Sequence, residues 1–280
     1  MRIKITADTT CDLTQALAEQ YGIELIPLYV NMDGTYYRDG LDLTVEDIFA
    51  YVEKTGKLCS TAAANVDDYT GIFRRLRQDY DAVIHFTISS TMSSCYQNAR
   101  LAGDAIGGIY VVDSQSLSTG LGQLAIEASL MAQRGDSPEA ILREIDSLKK
   151  KLDVSFVLDT TEYLRKGGRC SAIASLGANL LRLKPCIAVK NGVMGMEKKF
   201  RGSLGKCLEA YVRERLAAVE TLDLRRIFIT YSSIMPEYVA HLKTVVQECA
   251  PFAEILETQA GSTIVSHCGP NCLGVLFFRA

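Results

Sequence analysis

The chain has 280 residues, 48% of them hydrophobic, and a formal net charge of −3. That length admits one large domain or two ordinary ones, and the hydrophobic fraction excludes a disordered chain. A sequence this near neutrality lacks the basic surface that grips phosphates, so no nucleic-acid partner is expected.

In chain order, apolar runs of strand length alternate with helical patterns. "RIKITAD" predicts a strand, and "LTQALAEQYG" a helix closed by Gly22. "IELIPLYVN" reads as one strand. "TVEDIFAYVEKTG" reads as a helix with Thr44 as N-cap and Asp47 three residues on, a capping box with Asp in place of Glu. "VDDYTGIFRRLRQDY" is amphipathic, with Tyr69, Ile72, Phe73 and Leu76 on one face. "DAVIHFTIS" and "IYVVDS" are strands, each followed by a helical pattern. This β-α rhythm predicts a mostly parallel sheet flanked by helices.

A charged helix, "SPEAILREIDSLKKKLDV", precedes a change of rhythm. Beyond it come a strand ("SFVLDT"), a turn ("TTEYLRKGGRC"), an apolar helix ("AIASLGANLLRL") and a hairpin with Asn-Gly at 191–192. Two helices and three strands close the chain. The expected fold is α/β in two α/β domains. Residues 1–152 form a mostly parallel sheet with helices, residues 153–280 a mixed sheet with helices, and a ligand lies between them.

The opening "MRIKITADTT" reads as a strand, not an apolar leader, and no run reaches the roughly 18 apolar residues of a membrane span. Nine cysteines form no CxxC pair, and Cys268 and Cys272 have no second ligand pair, so no metal is expected. Reduced thiols in a cytoplasmic protein are the simplest account.

Three strand ends are dense in hydroxyl and carboxyl groups: "ADTTCD" (7–12), "ISSTMSS" (88–94) and "VVDSQSLSTG" (111–120). Each junction needs one N-cap, which is the bland reading. Three dense clusters exceed that need and point to a polar ligand group at the rim of the sheet, where open α/β sheets bind. Helix N-termini there favour an anion. Among the cations, Arg169 in "YLRKGGR" and Arg201 in "MEKKFRG" suit bidentate carboxylate recognition, against the default of solvated surface. His85 and His241 read as structural. His267, placed by pattern in a turn, is either a loop residue or an anion donor or base.

Taken together, these segments resemble the DegV family of bacterial fatty-acid-binding proteins, which includes the FakB subunits of fatty acid kinase. "ITADTTCDL" is similar to the family's I-x-T-D-S-x-x-D-L, and "ISSTMSSCYQNA" to S-S-x-L-S-G-T-Y-Q-S-A. "VVDSQSLSTGLG" is similar to V-x-D-S-x-x-x-S-x-G-x-G, and "EYLRKGGR" to Y-L-x-x-G-G-R. "LKPCIAVKNG" and "SHCGPNCLGV" are similar to K-P-I-x-x-x-x-G and H-x-G-P-G-x-x-G. The likeness spans nearly the whole chain. It implies an acyl chain in a tunnel of the C-terminal domain and a carboxylate at the interdomain cleft, held by Thr61, Ser93, Arg169, Arg201 and His267. It also implies transient membrane contact and a separate kinase that makes an acyl phosphate from the presented carboxylate for phospholipid synthesis. On this reading the chain is a binding subunit with no catalytic residue and no cofactor beyond a long-chain fatty acid. Ala62, Ser94, Cys95 and Asn271 depart from the pattern, Asn271 replacing a Gly where left-handed geometry is still tolerated. Ala172, Ala174, Gly177 and Ala178 are small enough to leave room for a tunnel, or are an ordinary packed helix.

Two rival classes stand beside this. One is an acyl hydrolase or transferase with Ser93 or Cys95 as nucleophile and His267 as base, although no G-x-S-x-G elbow occurs. The other is a binder of small non-lipid anions.

Overall fold

The computed structural model describes residues 1–169 and 183–280. Strands β1 (Ile3–Asp8), β2 (Ile23–Ile26), β6 (Ala82–Thr87) and β7 (Ile109–Asp113) form an all-parallel sheet in the order β2-β1-β6-β7. Between them lie β3 (Tyr29–Met32), β4 (Thr35–Arg38) and β5 (Ser60–Ala62), a small antiparallel sheet in the order β4-β3-β5. The single strand expected over "IELIPLYVN" is therefore two. Pro27 separates them, because a residue without an N–H cannot continue a ladder, and the chain leaves one sheet for the other there.

Helices α1 (Gln15–Gln20), α2 (Val45–Thr55), α3 (Val66–Leu76) and α4 (Cys95–Asp104) connect these strands. Thr44 and Asp47 make the reciprocal capping box of α2, and Asn65 with Asp68 makes a second one on α3. In each case two otherwise orphaned amides at the helix start are satisfied. On α3, Tyr69, Phe73 and Leu76 turn inward as the amphipathic spacing requires, with Ile72 partly buried against the same core.

The second sheet starts at β8 (Leu152–Val157) and includes β9 (Leu183–Lys190), β10 (Val193–Arg201), β11 (Leu222–Tyr231), β12 (Glu254–Gln259) and β13 (Leu273–Arg279). Its order is β10-β9-β8-β13-β11-β12, antiparallel except for the β11–β12 pair. Asn191 (φ +51°) and Gly192 (φ +81°) turn the β9–β10 hairpin in the left-handed geometry that two-residue loops favour. Helix α7 (Glu162–Gly167) stands where the sequence pattern gave a turn. It ends at Gly168 with φ +70°, a glycine C-cap, so the Gly-Gly pair terminates a helix and does not replace one. Helices α8 (Leu204–Arg215), α9 (Pro236–Cys249) and α10 (Ser262–Cys268) complete the described elements. The helix expected over Ala172, Ala174, Gly177 and Ala178 lies outside the described residues.

Helix α5 (Ser118–Gln133) is buried on nearly every side and packs on β1, β2 and β6 of one sheet and β8, β11 and β13 of the other. Close approach demands small residues there. A Cβ at Gly122 would lie 2.8 Å from the Cys11 carbonyl, and one at Gly120 would lie 2.6 Å from Val154 of β8. Glu127 of α5 accepts from Arg225 and from buried Arg226, so an ion cluster also ties α5 to β11. One hydrophobic cluster therefore runs through both sheets. A second lies on the other face of the second sheet, under α8 and α9. Helix α6 (Pro138–Lys151) leads from α5 into β8.

Candidate functional site

The polar strand ends meet the second sheet at a cavity that opens to solvent. Its walls come from both halves of the chain: Ile88, Met92 and Leu117 from the first, Phe156, Met194 and Leu276 from the second. The apolar lining is thus not confined to the C-terminal half, as the resemblance implied.

Most of the crowded hydroxyls serve the structure. Ser89 and Thr91 both donate to the Gly192 carbonyl at the tip of the β9–β10 hairpin, Ser89 at 2.8 Å. Ser90 is bound to Asp113. Asp8 fixes the start of the same loop by accepting from the Ile88 amide at 3.0 Å and from Tyr69 at 2.8 Å, with buried His85 beside it at 3.3 Å. Ser118 donates to Asp12 at 2.5 Å. His241 is exposed and paired with Glu209.

Thr61, Ser93, Arg169 and His267 all line the cavity. Thr61 lies on β5, and its Oγ1 is 2.8 Å from His267 Nε2. Ser93 precedes α4; its Oγ accepts from the Cys95 amide at 3.3 Å and donates to Cys95 Sγ at 3.1 Å, a weak bond that a better acceptor such as an anion would displace. Arg169 follows α7 and spans the junction: Nη1 donates to the Gly167 carbonyl at 2.7 Å, and Nε points at the Met92 carbonyl at 3.5 Å. Arg201 is not among them. It is exposed at the far end of β10, opposite Leu183. Met194 lines the cavity near the hairpin tip, and seven residues of strand carry the chain roughly 23 Å further on.

His267 belongs to α10, not to a turn. Two buried carboxyls hold the start of that helix. Asp12 Oδ1 accepts from the Gly261 amide at 2.8 Å, and Asp39 faces Thr263 and the Ser262 and Thr263 amides. Burial raises the carboxyl of Asp12 to about 8, a shift moderated by its bonds to Ser118 and Gly261. At the other end of α10, a Cβ on Gly167 would overlap the His267 ring. Glycine there is what lets α7 lie against the imidazole.

Burial, and then the charge of Arg169, lower His267 to about 4, so its ring is neutral at neutral pH. Its Nδ1 is enclosed without a hydrogen-bond partner among the described residues. An enclosed N–H without an acceptor costs more than an enclosed lone pair, so the proton is assigned to Nε2. His267 then donates to Thr61, and the Thr61 hydroxyl proton is left to donate onward. The arrangement offers an anion one cation and two hydroxyls above an apolar cavity. The charge-assisted contact expected of both His267 and arginine rests here on Arg169.

Cys95 is an unfit nucleophile. Its thiol is buried at 0% exposure and raised beyond its usual range, chiefly by desolvation. Among the described residues, no group of three or more metal-ligating side chains converges. The sequence reading missed Asp12 and Asp39 as supports of the site. Asp12 stood in a polar strand end that was noticed, whereas Asp39 carried no signal.

Fold and site together define an α/β protein of two large sheets and one small one, with a cavity lined by apolar side chains and by Thr61, Ser93, Arg169 and His267. A sequence model described as an uncharacterised DegV-family protein matches residues 2–280, and the chain belongs to the DegV family. It is 28% identical to a fatty acid-binding protein of Thermotoga maritima, over 98% of this chain and 96% of that one. A DegV-family protein of Thermus thermophilus, described for its fatty acid binding, superposes with a TM-score of 0.91 at 31% identity, covering 100% of both chains. DegV of Bacillus subtilis, described as a fatty acid binding protein, gives a TM-score of 0.87 at 26% identity, again covering 100% of both.

Proposed function

We propose that this protein binds a long-chain fatty acid, with the carboxylate at the Thr61–Ser93–Arg169–His267 end and the acyl chain along the apolar walls. The observation that carries this is one cavity whose lining joins apolar side chains to Arg169 and to the hydroxyls of Thr61 and Ser93. Relatives described as fatty-acid-binding support it. Burying the roughly fourteen methylenes of a sixteen-carbon acid stabilises by roughly 11 kcal/mol as an upper bound, before ordering costs are subtracted. The acyl chain supplies affinity. The head site supplies orientation, since a carboxylate removed from water must find donors.

The finer reading is that the carboxylate, held near the surface by exposed Arg169, is presented to a separate kinase that converts it to an acyl phosphate. Transient membrane contact then delivers the lipid in the cytoplasm. Ser93 and His267 act as binding groups, and the chemistry belongs to the partner.

Native mass spectrometry of the purified protein, followed by lipid extraction, tests the first step. One fatty acid per chain is expected. In direct titrations Arg169→Ala weakens binding about 10- to 100-fold, the range for one charge-assisted hydrogen bond. A protein that carries no lipid and refuses added palmitate overturns the reading.

A further inference from the structure

Cys268 and Cys272 occupy the same wall of the cavity, and among the described residues no other cysteine lines it. Helix α10 ends at Cys268. Gly269 (φ +73°) and Asn271 (φ +57°) then fold the chain back over Pro270. Both thiols are thereby returned to one side and are buried at 6% exposure. The Cys268 thiol, on which Cys272 is the principal neighbouring influence, approaches the Gly269 carbonyl at 3.6 Å. The turn is held from both ends. Gly269 donates to Val265 at 2.9 Å, Asn271 to the Ser233 carbonyl at 2.8 Å, and Cys272 to Ser232 Oγ at 3.0 Å. Both cysteines fall at positions that the pattern H-x-G-P-G-x-x-G leaves open, so the resemblance does not imply the pair.

We propose that Cys268 and Cys272 are a redox-active pair in the wall of the binding cavity. Hydrogen peroxide entering through the cavity converts them to a disulfide, and a bound acyl chain blocks that entry. In the first step one sulfur, losing its proton, attacks the peroxide O–O bond, giving a sulfenic acid and one water. The second sulfur then attacks the sulfenic sulfur, forming the S–S bond and releasing a second water. Two thiols lose two electrons and two hydrogens, and one peroxide becomes two waters. The pair is slow without a guided oxidant, because burial and its neighbour hold Cys268 far above the thiolate range. Access through the cavity therefore governs the rate. Cys268 directly follows His267, so drawing it toward Cys272 displaces the last turn of α10 and the His267–Thr61 bond. The ligand arm of this proposal rests on the fatty-acid reading, and the disulfide arm does not.

The test uses the reduced, lipid-stripped full chain treated with hydrogen peroxide, with and without saturating palmitate, then thiol alkylation and peptide mass mapping. A loss of two hydrogens in the peptide spanning Cys268 and Cys272 is expected, abolished in Cys268→Ser and in Cys272→Ser. Palmitate should slow it about tenfold by occluding the thiols. The oxidised protein should bind palmitate about tenfold more weakly, the worth of one displaced hydrogen bond, with recovery on adding dithiothreitol. Both thiols remaining alkylable while other cysteines oxidise overturns the pair. An unchanged rate with palmitate demonstrably bound overturns the gating, and equal affinity of the two forms overturns the coupling to the head site. Failure of palmitate to bind in a direct titration sinks the fatty-acid reading and the gating with it, while the palmitate-free arm still decides the pair.

Discussion

In the polar part of the cavity lining, Thr61, Ser93, Arg169 and His267 come from four separate segments, and their bonds tie β5 to α10 and the 88–94 loop to the end of α7. Along its walls, Phe156 and Leu276 lie within regular strands of a six-stranded sheet, their backbones fixed by the ladder. The walls thus share the atoms that hold the molecule together, while the polar lining is assembled from a short strand, a loop and helix ends. On the proposed function, changes to the polar lining would alter how a carboxylate is held, whereas changes to the walls would alter stability and acyl fit together.

Replacing Phe156 with Ala should show the largest effect. It deletes a buried ring from both core and cavity, and destabilises by about 3–5 kcal/mol in denaturant titrations. A loss below about 1 kcal/mol would break the contrast between walls and head. Acid comes next. Because His267 is held at about 4 against an ordinary 6.5, the unfolded chain binds a proton in that window that the folded one does not. His267 thus makes stability fall as pH drops from 6.5 to 4, by at most about 3 kcal/mol. Asp12, raised from 3.8 to about 8, works in the opposite sense, since its contribution falls as pH rises across that range. The measurement is therefore the difference between wild type and His267→Gln at each pH, which should narrow on acidification. A constant difference would mean that the ring is not held neutral. The smallest effect belongs to Ser89→Ala, which removes one of two hydroxyls on the Gly192 carbonyl. It should cost about 1 kcal/mol, the net worth of a single buried hydrogen bond, and leave palmitate affinity within about twofold.

Much of the fold was legible because periodicity and turn chemistry are local. The capping box at Thr44–Asp47, the Asn-Gly hairpin and the parallel rhythm of the first sheet all needed only neighbouring residues. The errors were also local in origin. Pro27 was read through as strand interior, and the Gly-Gly after Lys166 was taken for a turn although it closes α7. The site was harder, because its members meet only through the tertiary fold. Arg201 carried the same local signal as Arg169, and only the direction of β10 separates them. The hydroxyl density at 88–94 was a true signal with a different cause. A hairpin some hundred residues away needed clasping, and nothing near Ser89 or Thr91 in the sequence says so.

Helix α5, enclosed by both sheets, decides how the molecule can breathe. With one helix serving as core for two slabs, the halves are not jaws on a hinge. Parting them would strip the same helix of its packing on both sides and uncover the Glu127–Arg226 pair, at a cost approaching that of unfolding. On the proposed function, lipid exchange would instead proceed by loosening side chains and turns at the rim of the cavity. The rate at which cargo enters and leaves then depends on the rim, while the melting temperature depends on the rod, and evolution can tune the one without touching the other.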